Sequence, residues 1–391
     1  MDISIISDTH FGFKWGSERG EDTFENAREA FEKSLDADVI ILPGDIFDKK
    51  IPKQEVLDKA SEVLSTAMEG KRTVEASKEL GMHGNGIPIV GIHGTHERRP
   101  RAYTNPIELM ANTGHMHHLD NDHIIFEKNG EKVAVHGMSG VPERYAPKVL
   151  EKFDPQPIED AFNILVIHQS VEGFVFTPED RDYLKLEDFP EGFDLIINGH
   201  IHWYNIERFP GEKPFVLPGS TVTTQMRKIE AEKGKGFLRL DTEDEDLKFI
   251  ELDNPRDVHY IEVEVDGEDW SDVKKQAIEE LEKVASEDKP LVNLKITGET
   301  SGRVNPRELK NMFRDRIYLN VNSSVDSSGI KNSEVEGTAE DPWEKGKEIL
   351  QDKVDSEIDF DGDEFLQLLE NQKTDEAIDI LKDAKIESGQ E

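Results

Sequence analysis

Five short segments of this 391-residue chain set a carboxylate or an imidazole directly after an apolar run: Asp8-Thr9-His10, Gly44-Asp45, Gly94-Thr95-His96-Glu97, His168 and Gly199-His200-Ile201-His202. A sixth, Pro218-Gly219-Ser220, has the same pattern but offers no side chain of ligand type. The preceding runs, at 3–7, 39–42, 87–92, 164–167 and 195–197, are short and bounded by turn residues, as buried strands are. In an open α/β sheet the loops at the carboxyl edge line the ligand crevice. Asp8 and His10 are two apart, as are His200 and His202, a spacing that on extended backbone turns both side chains to one side. Two carboxylates and four imidazoles exceed what one tetrahedral zinc needs. They suit two divalent ions about 3.5–4 Å apart with a bridging carboxylate. A lone histidine after a strand is usually structural; repetition across strand ends is what points to metal. The chain has no cysteine, which excludes thiolate zinc sites, iron–sulfur clusters, disulfides and a cysteine nucleophile.

Several elements must position these residues. Phe24, Ala27, Phe31 and Leu35 share one helical face, with Asp22 or Thr23 as the expected cap. Residues 53–80 are expected to be helical, 132–136 a further strand, and 215–216 and 236–240 edge strands. The result is a layered α/β sandwich over 1–254. Residues 241–246 form an acidic turn, and the pattern changes after Asn254-Pro255. Strands at 260–265, 291–297 and 317–321 alternate with helices at 271–286 and from Pro306, a small βαβαβ domain over 255–322. Residues 323–341, rich in Ser, Gly and Glu, are expected to be a linker. Residues 342–391 are expected to form a helical tail, with stripes such as Ile349, Leu350, Val354 and Ile358, and Phe365, Leu366, Leu369 and Leu381. Such a tail either docks on the body or lays its apolar face on a partner; the second reading is favoured.

The net charge is −37, from 84 acidic and 47 basic residues spread along the whole chain. That distribution favours adaptation to a salty cytoplasm over a specifically acidic function. At high salt, long-range repulsion is screened to a few ångströms. Bulk acidity therefore does not exclude nucleic acid, provided that local cations and metal supply the contacts. No run approaches the roughly 20 apolar residues that span a bilayer, and Met1 leads straight into a strand. A cytoplasmic protein without membrane association is expected.

The motifs D-x-H, G-D-x-x-D, G-N-H-[DE], a lone His and G-H-x-H stand here as Asp8–His10, Gly44–Asp48, Gly94–Glu97 with Thr95 in place of Asn, His168 and Gly199–His202. This set resembles the calcineurin-like metallophosphoesterases. Within them the chain looks most like the SbcD-type nuclease subunit of the double-strand-break repair nuclease–ATPase complex. Gly44-Asp45-Ile46-Phe47, Ile167-His168-Gln169, Gly199-His200-Ile201-His202 and Pro218-Gly219-Ser220 carry that finer likeness. It implies an α/β/β/α sandwich with an α/β DNA-capping domain and an ATPase-binding tail. It implies that Asp8, His10 and His202 hold one metal, Asp45 bridges, and His168 and His200 hold the other. The remaining ligand position, usually Asn, is Thr95, a shorter and poorer donor. His96 would be the general acid for the departing 3′ oxygen, oriented by Asp48. Two manganese ions, double-stranded DNA ends and single strands as substrates, exonuclease and endonuclease activity, an SMC-like coiled-coil ATPase partner and a homodimer through helices near 53–67 and 102–112 complete the expectation.

Arg98, Arg99 and Arg101 follow His96 and suit contact with DNA phosphates, against local pairing with surplus acid. Lys14, Arg19, Lys49 and Lys50 are expected to be ordinary surface cations. Trp203 and Tyr204 could stack on a base or be buried under the sheet rim. His115, His117 and His118 fall in an expected loop and suggest surface histidines. His93 is a candidate support for a ligand, and His136 a structural residue. Two other functions compete: a phosphodiesterase of cyclic or small nucleotides, and a weakly catalytic DNA-end-binding scaffold. The extra domain and tail argue against the first, and the full set of histidines against the second.

Overall fold

Strands that are apolar on both faces can stack two sheets and still bury their outer sides. The computed structural model describes residues 1–80, 86–100, 102–174, 183–208, 214–300, 305–326, 358–359 and 385–386. One sheet runs Asp246–Glu251, Gly236–Asp241, Asp2–Ile5, Val39–Leu42, Ile89–Gly91, His117–His118. The other runs Asn205–Arg208, Pro214–Leu217, Leu195–Asn198, Phe162–Ile167, Glu131–Met138, Asp122–Lys128, Glu75–Ala76. Their central strands are parallel.

Successive residues serve different cores. Ile3, Ile5, Val39 and Ile41 meet Ile164, Val166, Leu195 and Val216 between the sheets. Ile40 and Leu42 face Phe24, Ala27, Phe31, Val56 and Val63 from the helices Arg19–Glu32 and Gln54–Ser65. Leu165, Ile167, Ile196 and Phe215 pack on Ala146 and Leu150 of the helix Ala146–Phe153. Three cores between four layers make the α/β/β/α sandwich, and explain why its strands are nearly continuous apolar runs. The layers leave every expected ligand loop at the carboxyl ends of parallel strands.

Some expectations change. The first helix begins at Arg19; neither Asp22 nor Thr23 caps it, because the Asp22 carboxylate takes Arg256 (2.7 and 2.8 Å) and Thr23 Oγ1 binds Gly20 O. Over 53–80 only Gln54–Ser65 is α-helical. A tight turn, Thr66–Glu69, ends at Gly70, and Glu75–Ala76 pairs with the strand Asp122–Lys128. Neither Pro214–Leu217 nor Gly236–Asp241 is an edge: hairpin partners Asn205–Arg208 and Asp246–Glu251, too polar for an apolar-run signature, lie outside them. His117–His118 is a strand paired with Val90–Gly91, not a surface loop.

The strands Val258–Glu268, Leu291–Thr300 and Tyr318–Asp326 form a separate parallel sheet, crossed by the helices Trp270–Val284 and Pro306–Phe313. Val263, Val273, Leu294, Leu309 and Phe313 are in its core. Arg256 on Asp22 and Asn293 Nδ2 on Met226 O (2.6 Å) tie it to the sandwich. The last strand runs to Asp326, beyond the expected start of the linker at 323. The chain divides into two units at Gly329–Ile330. In the second, Ile358–Asp359 pairs antiparallel with Lys385–Ile386, so these four positions are strand where helix is expected; the rest of the linker and tail lies outside the described residues. Among the described residues, no helix is long and apolar enough to cross a membrane.

Candidate functional site

Asp8 (φ 51°), His10 (46°), Asp45 (46°) and His200 (76°) all have left-handed backbone. For an L-residue this costs about 1–2 kcal/mol each, and such strain collects at functional sites. It also corrects the spacing argument: Asp8 and His10 converge through tight left-handed turns, not through the alternation of extended backbone. Bonds between the two loops hold them: His10 N to Asp45 O (3.0 Å), Phe11 N to Ile46 O (2.7 Å) and Thr9 Oγ1 to Ile46 O (3.0 Å).

Two buried groups of three result, Asp8–His10–His202 and Asp45–His168–His200. In the first, His10 Nε2 and His202 Nε2 are 3.1 Å apart, and Asp8 Oδ1 lies 3.9 and 3.7 Å from them. Thr224 Oγ1 binds His202 Nδ1 (2.6 Å), which aims Nε2 inward. Asp8 also takes the His200 amide and the Ser7 hydroxyl. In the second, His168 Nδ1 donates to Pro43 O (2.8 Å) and turns Nε2 to Asp45 Oδ2 (3.1 Å). A Cβ on Gly44 (φ +93°) would lie 2.6 Å from His168 Nδ1, so this turn needs glycine for both conformation and space. His200 Nε2 meets Ser170 Oγ (3.2 Å), which is bound by Glu143.

Burial pushes His10 down to about 3, helped by His96; burial and His168 push His200 down to about 4. Burial and His10 hold His202 well below its usual range. These three imidazoles are neutral, with lone pairs to give. Burial would also depress His168, but the Asp45 and Asp8 carboxylates raise it to about 10. Burial, offset by His168, lifts Asp8 to about 7. A proton on His168 thus stands where a cation would be welcome. Two facing Nε2 atoms, and the buried Nε2 of His168 without a hydrogen-bond partner, tell the same way. The residues fit divalent metal at both groups.

His96 is 44% exposed beside them. Its amide donates to Asp45 Oδ1 (2.9 Å) and its Nδ1 donates to the Asp48 backbone carbonyl (2.8 Å); the Asp48 carboxylate stays 3.9 Å away. That carboxylate also lies 3.8 Å from His10, making a third potential ligand group of His10, Asp48 and His96. Thr95 Oγ1 is 3.4 Å from Asp45 Oδ2. Arg98 is exposed; Arg99 binds Thr104 O (2.8 Å) and covers the Tyr103 ring; Arg101 lies outside the described residues. Arg19 is buried on Thr223 O, not a surface cation. Tyr204 stacks on Phe249 at 3.9 Å, and Trp203 packs on the outer core under Arg227. His118 is half-buried, 3.1 Å from His93 Nδ1, and His136 is buried against His123 and Phe193.

From the sequence, Glu97 is a motif residue and an indirect support for the second metal where Thr95 is a poor donor. It is fully buried and accepts from both Phe47 N and Gly94 N (2.7 Å each), so it joins the Asp45 and His96 loops. Thr224, Ser170 and Glu143 were not anticipated; nothing local in the sequence marks them.

The family model described as calcineurin-like phosphoesterase matches residues 1–204. The chain is 26% identical over 315 residues to the DNA double-strand break repair protein Mre11 of Methanopyrus kandleri, covering 74% of this chain and 65% of that one. It is 28% identical to the protein of that name in Thermoplasma acidophilum, covering 76% and 77%, and 26% identical to that of Methanococcus maripaludis, covering 95% and 96%.

Proposed function

The chain belongs to the calcineurin-like phosphoesterase family, and on that footing we propose that it is a divalent-metal DNA nuclease that processes broken ends. The two adjacent ligand groups at the carboxyl ends of parallel strands carry this reading; the break-repair names of its relatives support DNA as the substrate. Asp8, His10 and His202 would hold one ion, His168 and His200 the other, with Asp45 between them and Thr95 beside the second. Bound there, two cations, manganese in our reading, would make hydroxide available at neutral pH and offset charge on a phosphodiester. Neutral His10, His200 and His202 keep their lone pairs for binding. Left-handed turns and interloop bonds hold the donors in place before substrate arrives. His96 donates to the Asp48 carbonyl through Nδ1, so its exposed Nε2 is the atom that would pass a proton to the departing 3′ oxygen. Arg98, Arg99 and Arg101 would meet the DNA backbone. The sheet of residues 258–326 would serve as the capping domain, and 342–391 as the seat of a coiled-coil ATPase of the SMC type. Exposed Ile51, Tyr103 and Leu109 support a homodimer contact near the helices Gln54–Ser65 and Pro106–Asn112.

The test uses end-labelled duplex and single-stranded DNA with manganese in high salt, beside cyclic nucleotides. Cleavage of DNA that chelator abolishes is expected. Hydrolysis of cyclic nucleotides with DNA left intact would replace the reading by a small-molecule phosphodiesterase.

A further inference from the structure

Ser220 ends a segment that matches the ligand loops in pattern but offers no ligand. Its surroundings give it another task. The Ser220 hydroxyl donates to Val222 O (2.7 Å) and receives Lys235 Nζ (3.0 Å). Lys235 Nζ also donates to His202 O (2.8 Å) and Glu230 Oε1 (2.8 Å), which uses all three ammonium protons. The side chains of Lys235 and Glu230 are 4% and 0% exposed. A buried ion pair loses so much hydration that apolar residues of equal volume often serve stability as well or better. Stability alone therefore gives little reason for this pair.

Position gives a better one. The His202 carbonyl takes Lys235 Nζ and the Ser220 amide (3.3 Å), so the loop is fixed from beneath at its backbone. Gly219 (φ +78°) lies so close to the next residues that a Cβ would be 2.8 Å from Tyr204 N. Thr224 fixes the His202 ring from the side.

We propose that Lys235, seated on Ser220 and paired with Glu230, is a positioning residue that sets where His202 Nε2 meets Asp8 and His10. It thereby governs the affinity of that cation position and not of the one at Asp45, His168 and His200. This rests on the reading of His202 as a metal ligand.

Calorimetric titration of manganese into the metal-free full chain tests it, with the unfolding temperature of each metal-free protein measured alongside. The wild type should show two sites. Lys235→Met should weaken one of them roughly 10–100-fold, the range for partners that orient a ligand, and leave the other site near wild type, with a lower metal-free unfolding temperature because the buried Glu230 carboxylate loses its partner. Lys235→Arg should restore most of the loss, and Ser220→Ala should show a smaller loss at the same site. Unchanged binding in Lys235→Met, or equal weakening of both sites, overturns the proposal. If Lys235→Met does not fold, Ser220→Ala decides: one weakened site supports it and two unchanged sites overturn it. A wild type that takes up no manganese removes the metal reading itself, a result distinct from failure of the variant alone.

Discussion

Glu97 offers a sharp test of how the site loops are held together. Its two oxygens accept from Phe47 N and Gly94 N at 2.7 Å each, with no exposure to solvent. Burial and the nearby Asp45 carboxylate raise its pKa to about 8, while the two N–H bonds pull the other way, so the test is run above pH 8, where the carboxylate is ionised and both oxygens accept. A hydrogen bond to a charged acceptor contributes about 1.5–3 kcal/mol, and a buried N–H left without an acceptor costs about 1–3 kcal/mol. Glu97→Gln keeps one acceptor oxygen and turns an amide NH2 against the other N–H, for a loss of about 2–3 kcal/mol. Glu97→Ala strands both donors and opens space, for a loss of about 3–6 kcal/mol. The order wild type, Gln, Ala should appear as urea midpoints of metal-free protein in high salt, provided that the slopes match. Cleavage should fall in the same order, because Gly94 and Phe47 flank Asp45 and His96. Two variants within about 0.5 kcal/mol of wild type would refute the assignment of Glu97 as the tie between loops.

His136 predicts the acid limb of stability. It is 2% exposed, and burial, then His123, push its pKa from 6.5 to about 4. Between those values the unfolded chain binds the extra proton, so stability falls as pH drops through 6.5 toward 4, by on the order of 2–3 kcal/mol. His136→Leu should reduce that slope by one proton's share in urea unfolding between pH 4 and 7, the depressed His10, His200 and His202 supplying the rest; an unchanged slope would refute its part. Manganese at about 100 times its dissociation constant should stabilise the fold by roughly 2.7 kcal/mol per site, reversed by chelator; a thermal shift assay with no response would deny both sites. Deleting residues 342–391 should spare DNA cleavage and abolish capture of a coiled-coil ATPase of the SMC type, and intact capture would place the docking surface elsewhere.

The loops of the candidate site were legible because each begins at the end of a strong apolar run, such as Val39–Leu42 before Asp45. The same runs revealed the central strands, since both of their faces are buried. Strands such as Asn205–Arg208 and Asp246–Glu251 escaped notice because one face is wet and their pairing is set by partners distant in sequence. Asp22 looked like a cap, but tertiary pairing with Arg256 outweighed local capping. The supports of the site, Thr224 on His202 and Glu97 on Phe47, act across loops, and only folded geometry reveals them.

The central claim is that metals hold the phosphodiester while His96 hands over the proton. The direct measurement is manganese content and cleavage of end-labelled duplex DNA by wild type and His96→Ser in parallel. The account predicts two manganese ions in both proteins and cleavage only by the wild type. Loss of bound metal in His96→Ser would make His96 a ligand, as its grouping with His10 and Asp48 permits, and would contradict its role as the acid.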